Sequence, residues 1–242
     1  MFLQPRTATY SAQDQLVWKI LFDRQRALLH RRAAPAFSQG LEQLGLGRNT
    51  IPDLAELSAE VQQLSGWQLL PYGQPVSQAL FLERLAQRQF PVMTRLRTMR
   101  DFDFSPQPDL FHDLFGHVPM LLDAGFADFL HQLGLAALAL APHDAVGRQQ
   151  LWALYFFTAE FGLVQHEGQP RLYGAGLLSS AGEIHHCIDA GTPRLEFDLA
   201  QVLQTTVRDS RFQDQYFVLP NLAVLADCVA ALSAAGAWRL AA

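Results

Sequence analysis

Pro108-Asp109-Leu110-Phe111-His112-Asp113-Leu114-Phe115-Gly116-His117-Val118-Pro119 brings two histidines, two carboxylates and a candidate helix break into one short segment. On an ideal α-helix, positions i and i+5 are separated by about 140° around the axis, so His112 and His117 cannot face one point if such a helix runs through both. Gly116 and Pro119 offer a resolution. Glycine commonly ends a helix in left-handed geometry, and proline prevents its resumption. The expectation is a turn at Gly116 that returns His117 to the side of His112, with Pro108-Asp109 opening the short helix. Downstream, Glu160 lies inside the apolar run Leu154-Tyr155-Phe156-Phe157-Thr158-Ala159-Glu160-Phe161-Gly162-Leu163. An ionised carboxylate is costly to bury there without a partner. A metal ion is one partner; an arginine or a hydrogen-bonded water is another. Two imidazoles and one carboxylate make the ligand set of an open-faced non-haem iron(II) site. Spacing alone does not separate that reading from two histidines satisfied in a core, and no HExxH zinc-protease motif is present.

Around this segment the chain reads as mainly α. Ser11 with Asp14 marks a helix start, and Leu16, Ile20, Phe22, Leu28 and Leu29 follow roughly at helical spacing. Further helices are expected over Asp53–Leu64, Gln78–Gln89, Phe126–Leu140, Gln149–Phe161 and Leu222–Ala235. The strongly apolar Phe126–Leu140 suits a central buried helix. Strand-like material is scarce: Pro91–Arg97 and Arg171–Gly174 are the short candidates. No repeat and no long linker interrupts the pattern. The longest irregular stretch, Arg100–Pro108, runs directly into the histidine segment, where loops tend to carry function. The expectation is one domain over residues 1–242, irregular over 1–10, with many helices and a few short strands.

Composition narrows the class. The 242 residues can bury a substantial core, and a chain that is 50% hydrophobic and 17% charged is not disordered as a whole. A net charge of -5 argues against a nucleic-acid surface. Arg24 and Arg26 with Arg31 and Arg32 read as a solvated helix face. No apolar run reaches a membrane span, and the start carries no secretory core. Cys187 and Cys228 are too few for a disulfide framework. These features predict a cytoplasmic protein without nucleic-acid or membrane partners. His185, His186, Cys187 and Asp189 form a weaker second cluster, since adjacent histidines point apart on most backbones.

The histidine segment resembles the signature of the pterin-dependent aromatic amino acid hydroxylases. Tyr155-Phe156-Phe157-Thr158-Ala159-Glu160-Phe161-Gly162-Leu163 and Tyr173-Gly174-Ala175-Gly176-Leu177-Leu178-Ser179-Ser180 are similar to the second and third blocks of that family. The likeness extends to Trp18-Lys19, Ile51-Pro52-Asp53-Leu54 and Tyr216-Phe217-Val218, in order, over nearly the whole chain. The form is similar to the short bacterial phenylalanine 4-hydroxylases. The resemblance implies a free-standing catalytic domain, monomeric, without regulatory or tetramerisation segments. It implies that iron(II) held by His112, His117 and Glu160 acts with a tetrahydropterin to activate dioxygen. It places Arg97 at the substrate carboxylate, with Ser105 and Asp109 supporting that end; an ordinary ion pair with Asp101 or Asp109 is the alternative for Arg97. Pro108, Phe156 and Phe161 would surround the substrate ring, and Ser179, beside Gly176, would steady the site. Phe81 would stack on the pterin, with Val76, Phe90, Asp113 and Tyr155 lining that cleft.

Departures from the family pattern bear on the substrate. Phenylalanine and tyrosine hydroxylases usually carry tryptophan where this chain has Phe156, whereas tryptophan hydroxylases carry phenylalanine. Asp113 stands where animal members have glutamate, Thr94-Arg95 replace an aromatic pair, and Ala159 replaces a valine. Phenylalanine to tyrosine is the favoured reaction; tryptophan 5-hydroxylation is the alternative, and a non-catalytic binding protein of the same fold is the third. The 2-oxoglutarate oxygenases are set aside, because their HxD…H pattern lies on jelly-roll strands.

Overall fold

Ser11 and Asp14 form a reciprocal capping box that starts α1 (Ala12–Leu29). The computed structural model describes residues 9–103, 105, 107–141, 143–189 and 191–234. Residues 1–8 of the segment expected to be irregular lie outside them. Pro35 opens α2 (Pro35–Gln43) from the first turn, where its missing N–H costs nothing. Asp53 caps α3 (Leu54–Ser65), and Gly66 ends it in the left-handed region at φ 76°. The helix expected over Gln78–Gln89 is shorter, because α4 (Gln78–Leu85) stops before Arg88 at φ 53° and Gln89 begins a strand. That strand, β2 (Gln89–Met93), pairs in parallel with β1 (Gln68–Tyr72) and ends before Arg97. α5 (Ala124–Ala139) and α6 (Ala145–Tyr155) follow, capped by Asp123 and Asp144.

The second half adds a four-stranded sheet in the order β4-β3-β6-β5. β3 (Leu163–His166) and β4 (Gln169–Leu172) form an antiparallel hairpin. Its two-residue turn, Glu167 at φ 51° and Gly168 at φ 74°, has the handedness that matches strand twist. β5 (Arg194–Glu196) and β6 (Tyr216–Leu219) run parallel to each other, and β6 runs parallel to β3. α7 (Ala175–Ser179), α8 (Ala181–Ile188), α9 (Leu199–Gln204) and α10 (Val224–Ala234) complete the mainly α architecture. Among the described residues no helix is long and apolar enough to cross a membrane.

Aromatic packing seats the histidine segment. Trp18 of α1 meets Phe111 edge-on at 5.3 Å, Phe22 meets Phe115 at 5.3 Å, and Phe37 of α2 meets Phe115 at 5.5 Å. Phe111 and Phe115 stack on each other at 4.8 Å, so one flank of the segment is locked into the core while the histidines face the other way.

Candidate active site

The turn expected at Gly116 does not occur. Gly116 lacks a positive φ, and the helix continues through His112–His117 as one π-helical turn, with the Val118 N–H reaching the Asp113 carbonyl. Bonding from i to i+5 brings residues five apart onto one face, which a left-handed break is not needed to achieve. Asp109 caps this segment: its Oδ1 accepts the His112 N–H at 3.0 Å. Glu160 ends a second π-helical turn, Phe156–Glu160, appended to α6 and closed by the Phe161 N–H on the Phe156 carbonyl at 3.0 Å. Such turns are frequent at functional sites.

α7 explains why the two turns meet. A Cβ at Gly116 would lie 2.9 Å from the Ala175 carbonyl oxygen, and one at Gly174 would lie 2.4 Å from the Glu160 carbonyl oxygen. Both distances are below any relaxed contact, so glycine at each position lets the backbones of both turns close on α7.

His112 Nε2 and His117 Nε2 are 3.1 Å apart. Glu160 Oε1 lies 3.0 Å from His117 Nε2, and Oε2 lies 3.4 Å from His112 Nε2. Ligands at metal bonds of about 2.1 Å sit roughly 3.0–3.4 Å from one another, so the two ring nitrogens and the carboxylate have the mutual spacing of a first coordination shell. The tautomer agrees. Ser179 Oγ donates its proton to the Ala175 carbonyl at 2.8 Å, so it accepts from His112 Nδ1 at 2.9 Å, leaving the Nε2 lone pair toward the centre. His117 Nδ1 is buried without such a partner. Tyr155 Oη donates to Glu160 Oε1 at 2.8 Å. The ligand atoms of His112, Asp113 and His117 also fall within 4.8 Å. However, the Met93 N–H occupies Asp113 Oδ2 at 2.6 Å, and Glu160 is the carboxylate that meets both rings.

Two imidazoles in contact with one carboxylate set the electrostatics of this centre. Burial works against the Glu160 carboxylate, yet the two imidazoles hold it well below the usual range. Burial also opposes charge on His112, but Glu160 carries its pKa up; at His117 burial wins and the pKa falls. Burial raises Asp113 to about 7, so it is a buried carboxyl and not the surface group its residue type allows.

A cavity of about 380 Å³ opens over this centre. Every residue expected at the site lines it except Asp109, which lies behind Arg97. Of the two readings of Arg97, the structure shows the ion pair with Asp109, and that pair leaves N–H groups over. Its Nε and Nη2 donate to Asp109 at 3.0 and 2.7 Å, and Nη1 donates to the Ser179 carbonyl at 3.1 Å. A guanidinium has five N–H groups, so one on Nη1 and one on Nη2 remain for the cavity. Ser105 Oγ is instead turned onto its own loop, donating to the Gln107 carbonyl at 2.7 Å. Phe156 packs on Phe161 at 4.8 Å along one wall. Phe81 meets Tyr155 at 5.1 Å and Phe90 at 5.6 Å along another. Sequence reasoning missed Trp152, which stacks on Tyr155 at 5.1 Å and whose signal was its position one turn earlier on α6. It also missed Glu183 and Asp209. His186 belongs elsewhere: its Nε2 bonds the Gln213 carbonyl at 2.9 Å and its ring stacks on Phe212.

The sequence model of the biopterin-dependent aromatic amino acid hydroxylases matches residues 5–233. A phenylalanine-4-hydroxylase from Mesorhizobium japonicum is 40% identical over 90% of this chain and 79% of its own length. One from Chromobacterium violaceum is 38% identical over 91% of this chain and 74% of its own. The crystal structure of the Chromobacterium violaceum enzyme with iron(III) and oxidised 7,8-dihydrobiopterin matches with a TM-score of 0.84 at 37% identity, covering 93% of this chain and 84% of the other.

Proposed function

The chain belongs to the biopterin-dependent aromatic amino acid hydroxylases, and from that membership we propose that it is a phenylalanine 4-monooxygenase using iron(II), a tetrahydropterin and dioxygen. The convergence of His112, His117 and Glu160 at 3.0–3.4 Å carries the metal assignment. Three ligands on one face leave the opposite positions open, as a metal that must meet dioxygen requires. When bound, iron(II) and the tetrahydropterin supply the reduction and activation of dioxygen; the protein supplies position and shelter.

Each part of the cavity has a task in that scheme. Ser179 fixes the His112 ring through Nδ1, and Tyr155 orients the Glu160 carboxylate. The free N–H groups of Arg97 form a two-pronged donor suited to a carboxylate, and Asp109 holds the guanidinium plane in place. A carboxylate anchored there extends its aromatic ring toward Pro108, Phe156 and Phe161, which exclude water. Val76, Phe81, Phe90 and Tyr155, with Trp152, form flat walls for a pterin, and Asp113 offers its second oxygen to a polar ring edge. We further take the protein to be one catalytic domain acting as a cytoplasmic monomer on small molecules.

Phe156 supports the second reading, tryptophan, because it leaves more room than tryptophan would at that wall. A pocket change of this size is worth about 1–3 kcal/mol, too little to outweigh relatives that act on phenylalanine. The test is competition: the iron-loaded protein with a tetrahydropterin in air, offered phenylalanine and tryptophan in equal amounts. Tyrosine as the main product is expected. Hydroxytryptophan as the main product would reassign the substrate to the Phe156 wall.

A further inference from the structure

Among the described residues, Glu183 is the buried charged residue of the cavity that this scheme leaves unused. It lies in the first turn of α8 and is 1% exposed. Its Oε1 is saturated, accepting from Tyr216 Oη at 2.7 Å and from the Gln213 N–H at 3.1 Å. Its Oε2 is buried with no hydrogen-bond partner, although the residue lines the catalytic cavity. A buried carboxylate oxygen left bare costs more than a neutral one unless a ligand completes it. Burial raises the Glu183 carboxyl above its usual range despite the Tyr216 and Gln213 hydrogen bonds.

Its place relative to Arg97 specifies that cation. Arg97 Nη1 is bonded to the Ser179 carbonyl, and the next residue, Ser180, caps α8 by accepting the Glu183 N–H at 3.2 Å. One short stretch of backbone therefore joins the guanidinium to the carboxylate within a single helical turn. Among the described residues, apart from the proposed metal ligands and Asp113, the charged groups facing the cavity are Arg97, Glu183 and Asp209. One cation with carboxylates beside it is complementary to a zwitterion. The carboxylate of an amino acid falls to Arg97, and its ammonium group needs an anion about one bond pair away.

We propose that Glu183 accepts the α-ammonium group of the substrate through Oε2, and so makes the pocket specific for an α-amino acid over the same ring on a plain carboxylic acid. This rests on the phenylalanine reading and adds to it a residue that tells amine from no amine. Asp209 is exposed at the rim, where water screens it and weakens its claim to the same role.

The experiment measures binding and not turnover. The iron(II)-loaded protein with tetrahydropterin, kept anaerobic, is titrated calorimetrically with L-phenylalanine and with 3-phenylpropanoate, which lacks only the amine. The unaltered protein should bind phenylalanine at least about tenfold more tightly. Glu183→Gln keeps the shape and an acceptor for Tyr216; it should weaken phenylalanine about tenfold or more, leave 3-phenylpropanoate unchanged, and so erase the preference. Tyr216→Phe, which removes a support of Oε1 and leaves Oε2, should retain the preference. Equal affinities in the unaltered protein would overturn the proposal even if Glu183→Gln does not fold. A preference that survives Glu183→Gln, or one lost in Asp209→Asn instead, would also overturn it. Failure to bind either compound would count against the phenylalanine reading itself.

Discussion

Two buried charge clusters share one cavity, and they treat their hydrogen-bonding capacity in opposite ways. At the Arg97–Asp109 pair, Asp109 Oδ2 accepts from the Arg97 N–H and Nε, and Oδ1 accepts from Arg97 Nη2 and the His112 N–H. Four donors saturate one carboxylate, and the side chains are 2% and 0% exposed. At His112, His117 and Glu160, by contrast, two ring nitrogens and two carboxylate oxygens crowd together with Tyr155 Oη as their one outside donor. In the first cluster the carboxylate is complete as folded and belongs to the architecture, while the Arg97 N–H groups left over face the cavity. The second has the donor spacing that a cation would complete, and its proposed role is in the chemistry. Asp109 ties them together, since one of its oxygens holds the arginine and the backbone of the first histidine.

That contrast can be broken from either side. His112→Ala should give the largest change: iron binding and turnover fall to background while the thermal melt stays cooperative, because the ring faces a cavity. Retained turnover by that variant would remove the metal assignment. Asp109→Ala should do the reverse, costing about 3–5 kcal/mol of stability by leaving Arg97 buried and unpaired. Chemical denaturation measures this, and a loss below about 1 kcal/mol would mean that the pair is not structural. Ser179→Ala should sit between the clusters, lowering iron affinity about 10–100-fold with little change in stability. Competition with a chelator reads that value, and an unchanged affinity would show that the Nδ1 contact does not orient the ring. The smallest effect is on pH. Glu160 raises His112 above the ordinary histidine value of 6.5, so a proton competes for its nitrogen over a wider range. Iron affinity should fall as the pH is lowered, beginning above that ordinary value. A flat profile would place the titrating group elsewhere.

Much of this was legible in the residues. The capping box at Ser11, the Asp53 cap and Gly66 stop of α3, and the apolar α5 follow local rules that tertiary contacts only reinforce. The residues that line the cavity were legible because the three blocks keep their order and composition. The geometry joining His112 to His117 was not, since π-helical and left-handed solutions both satisfy the same glycine and proline. The choice is made by Ala175, a residue far along the chain against which Gly116 packs. The short strands β1, β3, β5 and β6 escaped notice for a similar reason, as strands of three to five residues carry too little periodicity to read. Glu183 gave no signal, because an acidic residue in a helix's first turn is ordinary until its burial is known.

The π-helical turns have a consequence for how this site tolerates change in chain length. Each is an α-helical turn carrying one surplus residue, so deleting a residue from Asp113–Gly116 would let the backbone relax into a more regular ladder. His112 and His117 would then be four residues apart, about 40° from each other around a regular helix, and would still share one face. The π-helical turn thus gives a five-residue spacing the facing that a regular helix gives to a spacing of four, and a deletion there should be tolerated better than the loss of either histidine.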